Sequence, residues 1–546
     1  MKEHHKSIAV GVSMALGTVT ADEREHRVSP LIVTAAANSG TDTTLNDEAQ
    51  ALQLARNYAT RNFTLVEAQM LIKSAHPELS QSTLENIITQ AFTPKLPRPE
   101  LTNGGVARYC LARMNKSLVL RTSTNTYMRW SNGLWVPNYS IAELKADVRG
   151  VMNELIGEMN EPEVKNYRKW LDTVTNFNNV VEYINIEVKR IREEQINVNP
   201  YLLGLENGVY DLELNHFRGY RPEDYIINKC TVGYDEEATC SLWEDFIYDA
   251  CGNLQDRYDY LQMLSGYLLT GENPQQHIYL FLGNGRNGKS TYVSAIAEIL
   301  GNYATTMAMK SILKRHDSGL NDDLLHLRGK RLVTVAELES NVTLDSGRIK
   351  AITGGDHIAG RRLYGNSWEE LKIPAKIILL MNDLPIITDT SDGFWSRIKI
   401  IPFDYRVPLH LRNTNLLKQL RTEYPGVLNW MIQGYEKLML QGGVMTDTNR
   451  MIELHSNYRS RFDPFIGFLE TEYALGQEGD LIRTSVVRDH FNAWMRHRNK
   501  THGDIGAKKL KDELERKGVS YVSSRDSFFV LKQRATYQSD LDVTSD

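Results

Sequence analysis

His277-Ile-Tyr-Leu-Phe-Leu-Gly283-Asn-Gly-Arg-Asn-Gly288-Lys289-Ser290-Thr291 decides how this chain reads. Ile278 to Leu282 is an apolar, β-leaning run, and Gly283 to Ser290 fits the spacing GxxxxGK[ST]. Tyr292 to Leu300 follows with apolar residues at helical spacing. Strand, glycine-rich loop and helix in that order make a P-loop: the glycines let backbone N–H groups close around phosphate oxygens, and the helix N-terminus adds favourable partial charge. Gly283, Asn284, Gly285, Arg286, Asn287, Gly288, Lys289, Ser290 and Thr291 are therefore the nucleotide-binding candidates. Lys289 is suited to the β- and γ-phosphates and the Ser290 hydroxyl to Mg²⁺, so ATP and Mg²⁺ are the expected cofactors.

Two further apolar runs belong with this loop. Lys330-Arg-Leu-Val-Thr-Val-Ala-Glu337-Leu-Glu339 is a strand ending in acids. A carboxylate at such a tip holds Mg²⁺ directly or through water, and a second acid polarises the attacking water. Glu337 is the expected metal-holding acid with Glu339 as its partner, although sequence does not fix which does which. Alone, the segment would read as an ordinary strand with solvated acids. Lys376-Ile-Ile-Leu-Leu-Met-Asn382 is a second buried-type strand ending in a polar residue, and Asn382 is suited to orient the lytic water. In Asp392-Gly-Phe-Trp-Ser-Arg397, Arg397 stands just ahead of a terminal strand, Ile398 to Pro402. An arginine there can stabilise transition-state charge in a neighbouring subunit, or simply sit in a surface ion pair.

At 546 residues the chain is too long for one core. Hydrophobic residues make up 41% and charged residues 24%, which is ordinary for a globular protein. The net charge of −5 requires any nucleic-acid surface to be local or formed by assembly. Cys110, Cys230, Cys240 and Cys251 have neither metal-ligand nor redox spacing and read as reduced thiols. No run reaches the length of a membrane span, and Lys6 to Leu16 only faintly imitates a signal peptide, so a cytoplasmic place in a bacterial host or virus-infected cell is expected.

Residues 1–45 lack periodicity and read as disordered; 46–100 carry short helices, either an adaptor or a helix-turn-helix, ending in a proline-rich linker. Residues 101–238 read as an α+β domain with a hairpin at Ser131-Asn-Gly133 and another turn at Asn207-Gly208. Trp130 and Trp135 could stack on bases or pack the hairpin. Residues 239–275 form a helical collar with Trp243, Phe246, Ile247, Tyr260, Met263 and Leu264 as its buried stripe. The ATPase core is 276–408, and a helical segment fills 409–448. In 449–535, Ser485 to Arg498 has Val486, Val487, His490, Phe491 and Trp494 on its apolar side. A second helix stops at Gly518, and a hairpin forms around Ser524-Arg525-Asp526. Helices followed by a hairpin point to a winged helix, with Lys508, Lys509, Lys511 and Arg525 as phosphate contacts if it binds duplex DNA rather than protein. Residues 536–546 are a tail. The expected fold is thus multidomain α/β: a P-loop core, an α+β N-terminal domain and a C-terminal winged helix.

The motifs together resemble superfamily 3 helicases. Those that carry the resemblance are Arg348 to Asp356, Arg361-Arg362-Leu-Tyr364-Gly365 and Phe394-Trp-Ser-Arg397, with Glu423-Tyr-Pro-Gly426 and Asp463-Pro464 downstream. They are most similar to the poxvirus-type primase-helicase branch of phages, satellites and plasmids. The resemblance covers roughly residues 105–515. It implies an AAA+-like core, a homo-hexameric ring around DNA and ATP-driven unwinding in replication. It makes Lys289, Glu337, Glu339, Asn382 and Arg397 the catalytic set, with Arg397 as an arginine finger. The segment Lys350 to Ile377 then contains a pore hairpin whose Arg361, Arg362, Tyr364 and Lys372 grip single-stranded DNA, unless Arg361 and Arg362 serve the subunit interface or nucleotide pocket instead. There is no acidic primase signature, so a separate primase and other replication proteins are expected partners, with single-stranded and forked DNA as substrate and no membrane. An initiator or loader with ATPase-controlled assembly, and a protein-remodelling or defence NTPase, remain the other readings.

Overall fold

The computed structural model describes residues 43–60, 65–80, 83–84, 87–88, 91, 96–114, 117–122, 124–157, 159, 161–314, 322–335, 342–361, 368–408, 410, 412–477, 479–497, 504–523 and 527–534. The chain divides into two compact units, Met1–Lys95 and Leu96–Asp546. In the first, α1 (Thr43–Thr60) and α2 (Leu65–Ala75) bury Ala51, Ala55, Ala68 and Ile72 with Leu84, Ile87 and Ile88. Helix α1 begins at Thr43, inside the segment read as disordered; its run of good helix formers starts at Glu48, and the Thr43 to Asp47 turn precedes it. Residues 1–42 of that segment and the tail lie outside the described residues.

The second unit opens with an α+β region. Strands β1 (Leu118–Arg121), β2 (Thr126–Ser131), β3 (Leu134–Tyr139) and β4 (Arg190–Ile191) form a sheet in the order β3-β2-β1-β4. It is accompanied by α3 (Asn103–Arg113), α4 (Ile141–Gly157), α5 (Glu161–Leu171) and α6 (Val174–Glu187). The hairpin expected at Ser131 to Gly133 is present, with φ 49° at Asn132 and 78° at Gly133. Trp135 is a packing residue: it is 1% exposed, stacks on Tyr225 at 5.6 Å and donates from Nε1 to the Pro222 carbonyl at 2.7 Å. Strands β5 (Leu202–Gly204), β6 (Val209–Asp211) and β7 (His216–Arg218) make a separate antiparallel sheet.

Next come α7 (Ser241–Ala250) and α8 (Gln255–Leu268), then the central sheet. Its strands are β8 (Ile278–Leu282), β9 (Ala304–Thr306), β10 (Leu332–Val335), β13 (Lys376–Met381) and β14 (Ile398–Pro402); β11 (Ile358–Arg361) and β12 (Trp368–Leu371) pair with each other as a hairpin between them in sequence. The sheet order is β14-β8-β13-β10-β9, and every pairing is parallel. Parallel strands need crossovers, supplied here by α9 (Lys289–Leu300), α10 (Asp322–Leu325), α11 (Ser346–Gly354) and α12 (Asp392–Trp395). Strands β8, β10 and β13 are buried on both faces and accordingly read as near-continuous apolar runs rather than alternating ones.

Helices α13 (Leu416–Leu420) and α14 (Tyr424–Leu440) return to the helical layer. One buried stripe was expected along the collar, from Trp243 to Leu264; within it α8 is buried on all sides from Tyr260 to Leu268. One side meets α9, where Ser265 Oγ and Tyr292 Oη share a hydrogen bond of 2.6 Å, and the other meets α14. The α8 and α14 backbones touch: a Cβ on Gly266 would stand 2.1 Å from the Tyr435 nitrogen, and one on Gly434 would stand 2.0 Å from the Gln262 carbonyl oxygen. Buried Gln262 donates to the Trp430 carbonyl at 3.1 Å and fixes the register of the pair. The two helical segments flanking the sheet in sequence are therefore one layer in space.

The C-terminal region has α15 (Asn449–Phe462), α16 (Pro464–Glu472), α17 (Thr484–His497) and α18 (Ala507–Arg516) with a small antiparallel sheet of β15 (Tyr473–Leu475), β16 (Leu481–Arg483), β17 (Tyr521–Ser523) and β18 (Ser527–Gln533). Phe468, Phe491, Trp494, Leu510, Leu514, Phe529 and Leu531 close its core. Val486, assigned to the apolar side of α17, is 53% exposed: its neighbour Val487 takes the buried position, and one residue turns the helix by about 100°.

Gly434→Ala forces the α8 and α14 backbones apart and should cost about 1–3 kcal/mol or more, read from the urea midpoint; an unchanged midpoint would show that the contact is compliant. His277, at the start of β8, is held at a pKa of about 4 by burial, with Lys399 and Arg397 adding to the depression and Asp447 opposing it. The unfolded chain therefore takes up a proton here that the folded chain refuses, so this contribution to stability is full above about pH 6.5 and is lost as pH falls towards 4. Urea midpoints from pH 4 to 8 should slope less for His277→Gln than for the native chain, whereas equal slopes would exclude His277 as a titrating group.

Candidate nucleotide site

The glycine-rich loop leaves β8 between two neighbours. Gly283 N donates to the Met381 carbonyl of β13 at 3.2 Å, and Phe403 N, just after β14, donates to the Leu282 carbonyl at 2.8 Å. The turn is tight: a Cβ on Gly283 would lie 2.0 Å from Asn287 Nδ2 and 2.6 Å from the Phe403 carbonyl oxygen. Gly285, Arg286 and Gly288 have φ of 78°, 55° and 88°. Left-handed residues in such a turn direct successive N–H groups to one side, the geometry of an anion nest. Gly288 caps α9 and offers no side chain to its first-turn N–H groups, leaving that terminus suited to an anion.

The loop's side chains divide by role. Asn287 is 4% exposed and its Nδ2 donates to the Phe403 carbonyl at 2.9 Å, so it braces the loop. Lys289 is 5% exposed and its ammonium donates to the Gly283 carbonyl within the loop. Asn284, Arg286 and Ser290 are exposed and Thr291 is half-buried. Phe246 of α7 packs near Gly288, and Trp243 stacks on Tyr292 at 5.8 Å, which ties α7 to the loop and its helix.

The parallel register sorts the other candidates by sheet edge. Met381 pairs with Leu282, so Asn382 leaves β13 beside Gly283, exposed at the loop's edge. Val335 pairs with Leu379, so the chain leaves β10 towards the same edge; Glu337 and Glu339 themselves lie outside the described residues. Ile398 pairs with Ile278, which puts Arg397 beside His277 at the opposite edge. The five residues of β8 separate the edges by roughly 16 Å at about 3.3 Å per residue. Arg397 is half-buried; its Nη2 donates to Gln276 Oε1 at 2.8 Å and its Nη1 to the Gly393 carbonyl. The segment around it is braced. Burial raises the Asp389 pKa, but the Lys350 ammonium at 2.7 Å and Ser391 outweigh that and hold it at about 2.

The described DNA candidates belong to other elements. Arg361 ends β11 opposite Trp368 of β12, and exposed Lys372 follows β12 against Gly355. Arg362, Tyr364 and the hairpin tip lie outside the described residues, as does Arg525. Lys508 and Lys509 are exposed on α18, while the Lys511 ammonium sits 4.0 Å over the Tyr521 ring. Sequence reasoning missed Gln276, the partner of Arg397, and Arg406 and Arg412 in the segment after β14. The basic residues following Phe403 were the available signal, but only the fold brings that segment to the loop.

Residues 107–252 match the family model described as "D5 N terminal like", and residues 281–397 match one described as "Family of unknown function (DUF5906)". A protein named "Putative helicase" from Acanthamoeba polyphaga mimivirus is 28% identical over 287 residues, 48% of this chain and 30% of that protein. Another "Putative helicase", from Invertebrate iridescent virus 3, is 28% identical over 219 residues, 38% of this chain and 23% of that protein. A "Putative primase" of African swine fever virus is 24% identical over 218 residues, 38% of this chain and 22% of that protein. Each of these matches thus spans less than a third of its viral relative. Among solved structures, the apo C-terminal region of NrS-1 aligns with a TM-score of 0.43 and 12% identity, over 80% of this chain and 100% of that one. Over 38% to 48% of its length, this chain is similar to large-DNA-virus proteins named as putative helicases and primases.

Proposed function

We propose that the chain is an ATP-dependent replicative DNA helicase of a phage or mobile element, working as a homo-hexameric ring in the cytoplasm of its host. The observation that carries this reading is the separation of the sheet edges: the glycine-rich loop and Asn382 share one edge and Arg397 stands at the other. An arginine so far from its own chain's loop is suited to serve a neighbour's loop, and a closed ring gives every loop such a neighbour. The names of the viral relatives favour DNA replication as the setting.

In this reading the nest of Gly285 to Gly288 and the α9 terminus bind the β- and γ-phosphates of ATP, and Lys289 leaves the Gly283 carbonyl for them. The exposed Ser290 hydroxyl and Glu337 are the donors suited to Mg²⁺, which would neutralise phosphate charge. Asn382 orients the attacking water, Glu339 assists it, and the neighbour's Arg397 stabilises the charge that develops. The P-loop core is AAA+-like, and the β11–β12 hairpin, with Arg361, Arg362, Tyr364 and Lys372, contacts single-stranded DNA in the pore. The C-terminal region is a winged helix that brings Lys508, Lys509 and Arg525 to forked DNA. A separate primase supplies primers.

ATPase rate and forked-DNA unwinding test this with the native chain, Lys289→Ala, Arg397→Ala and a one-to-one mixture of the two variants. Each variant alone should lose ATPase activity by about 10³-fold or more, with nucleotide binding kept in Arg397→Ala. The mixture should recover part of the activity once subunits exchange. Full activity in Arg397→Ala would end the finger assignment, and strong ATPase without unwinding of any tailed substrate would favour an initiator or remodeller.

A further inference from the structure

The segment that leaves β14 is laced to the glycine-rich loop by two hydrogen bonds. Asn287 Nδ2 donates to the Phe403 carbonyl at 2.9 Å, and Val407 N donates to the Arg286 carbonyl at 3.2 Å. A third bond brings in a more distant residue: Arg412 Nε donates to the Val407 carbonyl at 3.1 Å. Arg286, Arg406 and Arg412 thus converge beside the loop, with Arg286 and Arg406 exposed and Arg412 half-buried. Partial desolvation, then the charges of Arg286 and Arg406, lower the Arg412 pKa.

Among the described residues, no carboxylate pairs with this charge. The acid within the segment, Asp404, is engaged by Arg257 at 3.3 Å and Arg450 at 3.4 Å. Among the described residues, Arg286, Arg406 and Arg412 form no ion pair with an acid. Holding like charges together is unfavourable unless a counter-charge joins them, and guanidinium groups have the fork geometry that pairs with phosphate oxygens. The adjacent loop already offers N–H groups to the same chemistry.

We propose that Arg406 and Arg412, with Arg286, form a cationic clasp that binds the polyphosphate chain of the nucleotide held by the loop. The assignment rests on the nucleotide-binding reading of that loop and adds to it a second wall from the segment after β14. Its contribution grows with the number of phosphates, so the clasp favours ATP over ADP and ADP over AMP. Because both arginines act through charge on a partly open surface, their effect fades as salt is raised.

The test is binding of ATP, ADP and AMP to the full chain by titration calorimetry at low and high salt. The variants are Arg406→Ala/Arg412→Ala, Arg406→Lys/Arg412→Lys, Lys289→Ala and, as a charge control, Lys418→Ala on an exposed site. The double alanine variant should bind ATP at least tenfold more weakly, lose less for ADP and least for AMP, with the deficit shrinking at high salt. The double lysine variant should recover part of the loss, and Lys418→Ala should match the native chain; thermal melts verify folding, and if the double variant melts early the single alanine variants must reproduce the phosphate-number dependence. ATP affinity equal to native in the double variant, while Lys289→Ala loses it, would overturn the clasp and leave the loop reading intact. Failure of the native chain to bind ATP would overturn both. Retained ATP affinity with weakened single-stranded DNA binding would reassign the arginines to nucleic acid.

Discussion

The backbone ladder that joins β8 to β13 on one side and β14 on the other is the constraint on which this protein's candidate site depends. Because both pairings are parallel, all strands end at one edge and begin at the other. Loops that leave the strands collect beside the glycine-rich loop, and residues that enter them collect about a strand length away. Asn382 and the post-β14 segment fall in the first group, Arg397 in the second. No local feature of those residues sorts them; the shared direction of the strands does.

At the entering edge the sheet is fastened by two buried basic side chains. Arg331, just before β10, donates to the Leu202 and Leu269 carbonyls and lies 4.2 Å from the Tyr303 ring centroid. Lys376, the first residue of β13, donates to the carbonyl and hydroxyl of Thr270 and lies 4.6 Å from the Tyr267 ring centroid. Burial lowers the pKa of both, most strongly that of Lys376. Their hydrogen bonds satisfy buried polar groups that would otherwise be costly to desolvate, and they tie the sheet to the β5–β7 region and to the end of α8. With the α8–α14 backbone contact, this sets the helical layer against the loop-bearing strand.

The Arg397 segment is linked in turn to the C-terminal region. Asp392 pairs with Arg459 of α15, and Lys517, at the end of α18, bonds Asp463 at 2.8 Å and reaches Asp392 at 3.7 Å. Asp463 is fully buried and also caps α16, accepting from Phe465 N at 3.1 Å. The basic helix α18 and the segment carrying Arg397 are thus mechanically continuous through short, charged contacts. Charge-assisted bonds in partly buried settings are stronger than exposed pairs, which suits them to hold that segment in place.

Residue order by itself determined the features that depend on local chemistry. GxxxxGK[ST] between an apolar run and a helical pattern specifies the loop, since the needs of tight backbone turns and phosphate contact are met by residue types at fixed spacing. The Asn132-Gly133 hairpin was equally legible because its positive φ values are local demands. What tertiary structure alone decided was proximity across long separations: Gly266 against Tyr435, Asn287 against Phe403, and Arg286 with Arg406 and Arg412. Periodicity reported one buried stripe along the collar from Trp243 to Leu264, but burial of α8 on all sides arises only when α9 and α14 close on it. Val486 was misassigned because neighbouring apolar residues on a helix edge leave the buried position to packing. A pattern along one segment encodes which side is apolar; which partner covers it depends on strand direction and helix contact, and those exist only in the folded chain.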